Sequence, residues 1–469
     1  MIALTLEEIA HAVSGELVLG DSGVTEKSVI TGLTDTDSRQ INPGDIFVAK
    51  PGDMTDGHLF VGAAVSNGAA LAIVDHLVDE PVPQILVQDT VVALGALASE
   101  VVSRVRSLGQ LKVVAITGSN GKTTTKNLVA AMCAQVGPTV FPRDSFNNEV
   151  GTPITMLKVE KDTHFLILEM GASGPGNISL LTDMVQPDIS VVLMVGLAHA
   201  GEFGGIDVTV QSKREIIEAL GPEGVAILNA DDHRVMSMAG AAPGLVKTFG
   251  YSPEADVQIN NVTSSLRGTE FDLKYSQVNT RHVSFSVLGE HHVMNAAAAT
   301  AVGLQLGLGE EEIFSALESV TRAERWRMEL LGNKDVVIIN DAYNASPDSM
   351  AAAVKTLRQV ASTENRTIAV LGEMAELGAY SGEEQDRLAL LIVRLGIDQL
   401  VVIGDGARRL HISAINEGSW DGESKFYSTP DEAYDYLSSL LTAGDIVLVK
   451  SSNSAKLRFL GDRLGEAYA

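Results

Sequence analysis

The chain has 469 residues, 45% of them hydrophobic, and its 60 Asp and Glu outnumber 34 Lys and Arg for a formal net charge of −26. This length suits about three domains of roughly 100–200 residues each, and the apolar content is far from that of a disordered chain. The acidity excludes generic nucleic-acid binding, which rests on Lys and Arg contacts to phosphate, and disfavours an anionic membrane surface.

The single cysteine, Cys133, excludes an internal disulfide framework and fits a reducing, cytoplasmic setting. The opening MIALTLEEIA carries two Glu and no Lys or Arg, unlike a secretion signal. Apolar runs such as ISVVLMVGLA fall short of the about 20 residues that a spanning helix needs, so no membrane insertion is expected.

In chain order, short Val/Ile/Leu-rich runs alternate with turns and stretches of helical period, which predicts α/β structure with mostly parallel sheets. Residues 1–108 read as a small α/β N-terminal domain. It has a helix near TLEEIAHAV, strands at DIFVA, LAIVD and QILVQ, and a closing helix through VALGALASEVVSRVR. Residues 109–321 read as a central domain with strands at LKVVAIT, FLILE, ISVVLMV and VAILN. Its Val257–Val287 segment alternates polar and apolar residues, as an antiparallel meander would. Residues 322–469 read as a C-terminal α/β domain with strands at DVVIIND, RTIAVLG, QLVVIGD and DIVLVK.

The strongest chemical signal is VVAITGSNGKTTTK, residues 113–126. A buried strand runs into Gly118-Ser119-Asn120-Gly121-Lys122-Thr123 and then into a helix with apolar positions Leu128, Val129, Met132, Cys133 and Val136. The two glycines let backbone N–H groups turn inward on phosphate oxygens, at a helix N-terminus whose dipole favours anions. Lys122 can reach the outer phosphates, and the Thr123 hydroxyl is placed for Mg²⁺. The loop departs from the general G-x-x-x-x-G-K-[ST] spacing, with Ile116 where the first glycine would stand. Helical spacing puts Cys133 in the core rather than in a nucleophilic role.

Such an enzyme needs an acid at the end of a neighbouring strand to hold the metal. Glu169, after FLIL, meets that need, and His199, after ISVVLMV, lies at a second strand end. Alone, Glu169 reads equally well as a cap and His199 as a loop histidine; their shared location raises both. Lys213, in VTVQSKREIIEAL, reads by itself as part of a solvated helix face.

ITGSNGKTTTK resembles the variant phosphate loop of the Mur ligases, the ATP-dependent enzymes that add amino acids in peptidoglycan synthesis. The segments DSRQINPGDIFVAKPGDMTDGH, SFNNEVGTP, LEMGASGPG, LNADD, NDAYNASPDSM and LGEMAELG extend the resemblance in order along the whole chain. They are most similar to the members that join D-alanyl-D-alanine to UDP-N-acetylmuramoyl-tripeptide. The resemblance implies three domains: a small α/β unit for the UDP-sugar, a central P-loop ATPase-like unit with a mostly parallel sheet, and a C-terminal Rossmann-like unit that brings in the dipeptide. It implies a monomer working on small molecules.

Residue by residue, it implies that Gly118, Ser119, Asn120, Gly121, Lys122, Thr123 and Thr124 hold the ATP phosphates. Thr123 and Glu169 would ligate one Mg²⁺, and His199 with a carbamylated Lys213 a second. Asn295 would contact adenine, while Arg327 and Asp341 would close over ATP. Asp37, Ser38 and Arg39 correspond to the UDP-sugar site, and Asn147, Asn148 and Glu149 lie near the substrate's peptide. Tyr343, Asn344 and Ser346 correspond to the dipeptide pocket, and Pro347 with the period of Met350–Leu357 sets them in a strand–loop–helix unit. His292 stands where the family usually has Asn, and Ser451 where VKGS has Gly. The rival readings are the diamino-acid-adding ligase of the preceding step, whose DNPR-like stretch is lacking, and a nucleotide-binding module without ligase activity.

Overall fold

The computed structural model describes residues 1–469 except 21, 53–54, 143–144, 198–203, 321–324, 334 and 419–422. Three large sheets occur in succession along the chain. The first has five strands in the spatial order Glu16–Val18, Gln84–Leu86, Leu71–Val74, Ile46–Val48 and Thr34–Asp35, parallel except for the first pair. The helix Leu6–Ala12 starts at a capping box, in which Thr5 accepts from the Glu8 N–H and Glu8 reaches back to the Thr5 N–H. The helix Thr90–Arg106 starts where the Asp89 carboxylate accepts two backbone N–H groups.

The second sheet has nine strands. Lys112–Thr117 lies third from one edge, parallel to Phe165–Glu169 on one side and to Ile189–Val192 on the other. The chain thus winds outward in both directions from Lys112–Thr117. A crevice opens there at the carboxyl ends of the strands, where ligands collect in open α/β sheets. The run 257–285 continues this sheet as the expected antiparallel meander. The third sheet has six strands in the order Glu329–Gly332, Val336–Asn340, Asp445–Lys450, Arg366–Leu371, Gln399–Ile403 and Ser424–Tyr427. All its pairs are parallel except the first. This mixed α/β architecture with a mostly parallel central sheet agrees with the sequence reading.

The phosphate-loop helix ends at Ala134, two residues earlier than its apolar spacing suggested, which leaves Val136 exposed while Cys133 is buried. Burial in apolar surroundings pushes the Cys133 thiol up to about 12, so it is an inert core side chain. Among the described residues, no helix is long and apolar enough to cross a membrane.

Candidate active site

The strand Lys112–Thr117 delivers the loop 118–121 to the crevice, and the helix Lys122–Ala134 begins directly after it. Gly121 has φ +87°, a left-handed value that suits glycine, and a Cβ there would collide with the Asn295 side chain. The absent side chain is therefore what lets Asn295, on the helix Glu290–Gln305, approach the loop. Ser119 closes the loop's other side, its Oγ accepting from the Gly196 N–H at 2.9 Å.

Glu169 pairs in register with Ile116, so strand geometry alone sets it beside the loop. Its Oε2 accepts from Thr123 Oγ1 at 2.8 Å, and its Oε1 accepts from Asn147 Nδ2 at 2.8 Å. Ser145 Oγ lies 3.1 Å from Thr123 Oγ1, which completes a small set of hard oxygen donors. The chain around Ser145 is anchored by Lys126, fully buried, whose ammonium donates to the Pro142 carbonyl at 2.7 Å. Asn148 spends its side chain on the Val150 and Gly151 N–H groups at a helix start.

The third sheet brings the facing wall. Arg327 lies over the Tyr343 ring, 4.2 Å from its centroid, and donates from Nη2 to Thr123 Oγ1 at 3.3 Å. Tyr343 reaches Ser145 Oγ at 3.4 Å, and Ser346 Oγ donates to Asn120 Oδ1 at 3.1 Å. Asp341, directly after the strand Val336–Asn340, is buried. It pairs with buried Lys450 at 2.6 Å and accepts the Met328 N–H at 3.1 Å. Lys450 also donates to the Asn344 carbonyl at 3.0 Å, and so ties the loop after the strand Val336–Asn340 to the strand Asp445–Lys450.

Two cavities flank the loop. One, of about 290 Å³, is lined by loop residues 119–124, Glu169, Asn295 and, from the third sheet's side, Arg327, Asp341, Tyr343, Asn344, Ser346 and Lys450. His291 and His292 also line it, and their buried Nδ1 atoms have no hydrogen-bond partner among the described residues. Burial drives His291 down to about 4 and also holds His292 well below its ordinary value, so both rings are neutral near pH 7. The second cavity, of about 300 Å³, shares Ser119, Lys122 and Asn147 with the first and adds Asn148, Glu149, Lys213 and Glu376.

Lys213 is a correction to the sequence reading. It is 4% exposed rather than part of a solvated face, because the helix Ile206–Glu218 turns it into the crevice beside the loop. Burial, with the Lys122 charge nearby, lowers its pKa to about 7. Burial also lowers the Lys122 pKa, opposed by the Glu169 carboxylate. Its ammonium is held at the loop's centre by a 2.8 Å bond to the Gly118 carbonyl.

His199 lies outside the described residues. Asp37, Ser38 and Arg39 line neither cavity: Asp37 caps a short turn, Arg39 pairs with it at 2.7 Å on the surface, and the Ser38 carbonyl accepts from Asn67. Sequence reasoning missed Ser145, Lys126 and Glu376, and left Lys450 without a role. The neighbourhood of SFNNEVGTP was the only signal for Ser145.

A phosphate loop at the switch point of a mostly parallel sheet, backed by a carboxylate and faced by an arginine from another sheet, defines a P-loop nucleotide-binding α/β protein. Known proteins narrow this class. The sequence matches the family models for the Mur ligase middle domain over residues 116–303 and for the Mur ligase glutamate ligase domain over 326–453. It matches that for the Mur ligase family catalytic domain over 30–104. It is 37% identical to the UDP-N-acetylmuramoyl-tripeptide–D-alanyl-D-alanine ligase of Mycobacterium tuberculosis, over 99% of this chain and 98% of that one. Its fold is similar to MurF from Acinetobacter baumannii, with TM-score 0.89 and 30% identity over 99% of each chain. It is also similar to the Thermotoga maritima MurF ligase in complex with ADP, with TM-score 0.81 and 27% identity over 94% of this chain and 99% of that one. The chain belongs to the Mur ligase family.

Proposed function

We propose that this chain is an ATP-dependent, ADP-forming ligase that joins D-alanyl-D-alanine to UDP-N-acetylmuramoyl-tripeptide, giving the pentapeptide precursor of peptidoglycan. The observation that carries the reading is one cavity in which the loop residues Lys122 and Thr123 with Glu169 meet Arg327, Tyr343 and Ser346 from the third sheet. The full-length similarity to ligases of this specificity supports it.

The donor set fits Mg²⁺. Thr123 Oγ1 and Glu169 Oε2 are hard oxygens 2.8 Å apart, and Asn147 fixes the other Glu169 oxygen. A bound Mg²⁺ would neutralise phosphate charge. Loop N–H groups and Lys122 would cradle the ATP phosphates, and Asn295 would contact the base. Arg327 with Asp341 would close the nucleotide lobe. Asn147, Asn148 and Glu149 would meet the tripeptide. Tyr343, Asn344 and Ser346 would meet the dipeptide, and Asp37, Ser38 and Arg39 the UDP-sugar. We assign these tasks to domains 1–108, 109–321 and 322–469.

A carboxylate is a poor acyl donor, so it must first gain a leaving group. The tripeptide's terminal carboxylate attacks the γ-phosphorus of ATP, forming an acyl phosphate as ADP leaves. The amine of D-alanyl-D-alanine, having lost a proton, attacks that carbonyl; the amide forms and phosphate departs. Two anions meet in the first step, so Lys122 and Arg327 act chiefly by neutralising charge. The closed third unit keeps water from the acyl phosphate.

Lys213, half neutral near pH 7, suits carbamate formation: its amine would add CO₂ and release a proton, and the carbamate would offer an anionic oxygen to a second Mg²⁺. If so, Lys213→Ala loses turnover that short carboxylates restore, and absence of rescue removes the carbamate. The function is tested by ADP release from ATP across UDP-muramoyl peptides, with D-alanyl-D-alanine, single amino acids or no amine. Release is expected only with UDP-muramoyl-tripeptide and D-alanyl-D-alanine together; amine-independent release, or preference for a diamino acid with UDP-muramoyl-dipeptide, overturns it.

A further inference from the structure

Arg327 reaches the phosphate loop from a strap, Arg325–Met328, that enters the edge strand of the third sheet. Its neighbours on both sides lie in the left-handed region, Trp326 at φ +61° and Met328 at φ +54°. Neither side chain favours that region, so two such residues around one arginine persist only where surrounding contacts over-determine them.

Those contacts are present. The Trp326 indole N–H donates to both carboxylate oxygens of Asp462 at 3.1 Å, and its backbone N–H donates to Glu329 Oε2 at 2.9 Å. The Tyr343 N–H donates to the Trp326 carbonyl at 3.1 Å. Met328 is buried, and its N–H is taken by Asp341. Asp462, on the last helix (Leu457–Ala467), also accepts from Asn340 Nδ2 at 3.0 Å and from Arg325 at 3.2 Å. The preceding Gly461 has no room for a Cβ against Asn340, which lets this helix sit close enough for Asp462 to reach the strap.

We propose that Asp462 is a positioning residue for the ligation: through the Trp326 indole it holds the strained strap that aims Arg327 at Thr123 and the phosphate loop. Asp462 lines neither cavity and touches no reacting group, so it acts only through Arg327. The inference rests on the function proposed above. Because Arg327 meets charge that develops in the transition state, loss of its aim falls on kcat rather than on nucleotide binding.

The test is steady-state ADP release by the full chain with ATP, UDP-muramoyl tripeptide and D-alanyl-D-alanine. Asp462→Ala and Trp326→Phe are expected to lower kcat about tenfold or more, with the KM for ATP changed less than about threefold. Asp462→Asn keeps an oxygen for the indole N–H and should stay within about threefold of the parent kcat. On an Arg327→Lys background, which keeps a cation, Asp462→Ala should cost less than about twofold more. Parent-like kcat in Asp462→Ala, or its full loss repeated on Arg327→Lys, overturns the proposal. Should Asp462→Ala not fold, Trp326→Phe, which retains the ring, decides between the same two outcomes. A parent enzyme without substrate-dependent ADP release overturns the function and this inference with it; an active parent with an indifferent Asp462 overturns the inference alone.

Discussion

The central sheet meets its two neighbours through junctions of opposite chemistry. Toward the first sheet the junction is apolar: one continuous buried cluster runs from Met1 to Met238, through Leu94, Leu97 and Val101 of the helix Thr90–Arg106 and on to Ile178 and Leu181. Gly95 on that helix leaves no free space for a Cβ against Met184. Toward the third sheet, contact is mostly polar, through Arg327–Thr123, Tyr343–Ser145 and Ser346–Asn120. The third unit keeps its own cores, which among the described residues only Leu288 and half-buried Leu266 join from the central region. A buried Leu contributes about 1.5–3 kcal/mol, whereas an exchangeable hydrogen bond nets about 1 kcal/mol. By these magnitudes the first junction rests on apolar burial and the second on exchangeable polar contacts.

The largest expected effect tests the first junction. Leu97→Ala should lower stability by about 3–5 kcal/mol, since it removes a fully buried side chain from a shared core. Denaturation followed at separate probes in residues 1–108 and 109–321 should shift together. A first unit that melts alone breaks the idea of a single rigid body.

Next comes the polar junction. Arg327→Ala should cut kcat by about 10²–10³-fold, roughly 3–4 kcal/mol of barrier, while unfolding moves by less than about 0.5 kcal/mol. Kinetics and calorimetry on one preparation decide it, and a large stability loss would make this junction structural.

How far the site was legible follows the same division. The loop, Lys122, Thr123 and Glu169 were readable because strand ends in a parallel sheet are set by local pattern, and the register Glu169–Ile116 did the rest. The closing helix and the meander were readable from period alone. Lys213 was not, because its burial depends on what covers one face of Ile206–Glu218. The left-handed Trp326 and Met328 carry no local signal at all, being imposed by Asp462 and Asp341 from 136 and 13 residues away. The first-sheet strands Glu16–Val18 and Thr34–Asp35 were too short for any alternation to show.

A smaller effect sits at the helix Pro347–Val360. Ser346 caps it, accepting from the Ser349 N–H, while its Oγ donates to Asn120. Ser346→Ala should cost about 1 kcal/mol in the third unit's unfolding. If the contact to Asn120 also helps closure, turnover falls a few-fold and Ser346→Thr restores it. Recovery of stability without turnover would assign Ser346 to the cap alone.

The smallest expected effect lies on the apolar side, where one charge pins the helix that forms the junction. Glu8 closes the capping box on Thr5 and pairs with Arg104 of Thr90–Arg106 at 2.8 Å. The backbone bond from Thr5 and then Arg104 hold its carboxyl down to about 2, from an ordinary 4.5. A depressed acid contributes stability above its unfolded value and loses it as pH falls through the folded one. Because Glu8 and Arg104 are both substantially exposed, solvent screening keeps the contribution below about 1 kcal/mol. Glu8→Gln retains the acceptor a capping box needs and removes only the charge. Its deficit in urea unfolding should be full at about pH 7 and shrink as pH drops below about 4.5 toward 2. A deficit that ignores pH would mean that shape alone, not the ion pair, sets this helix against the central core.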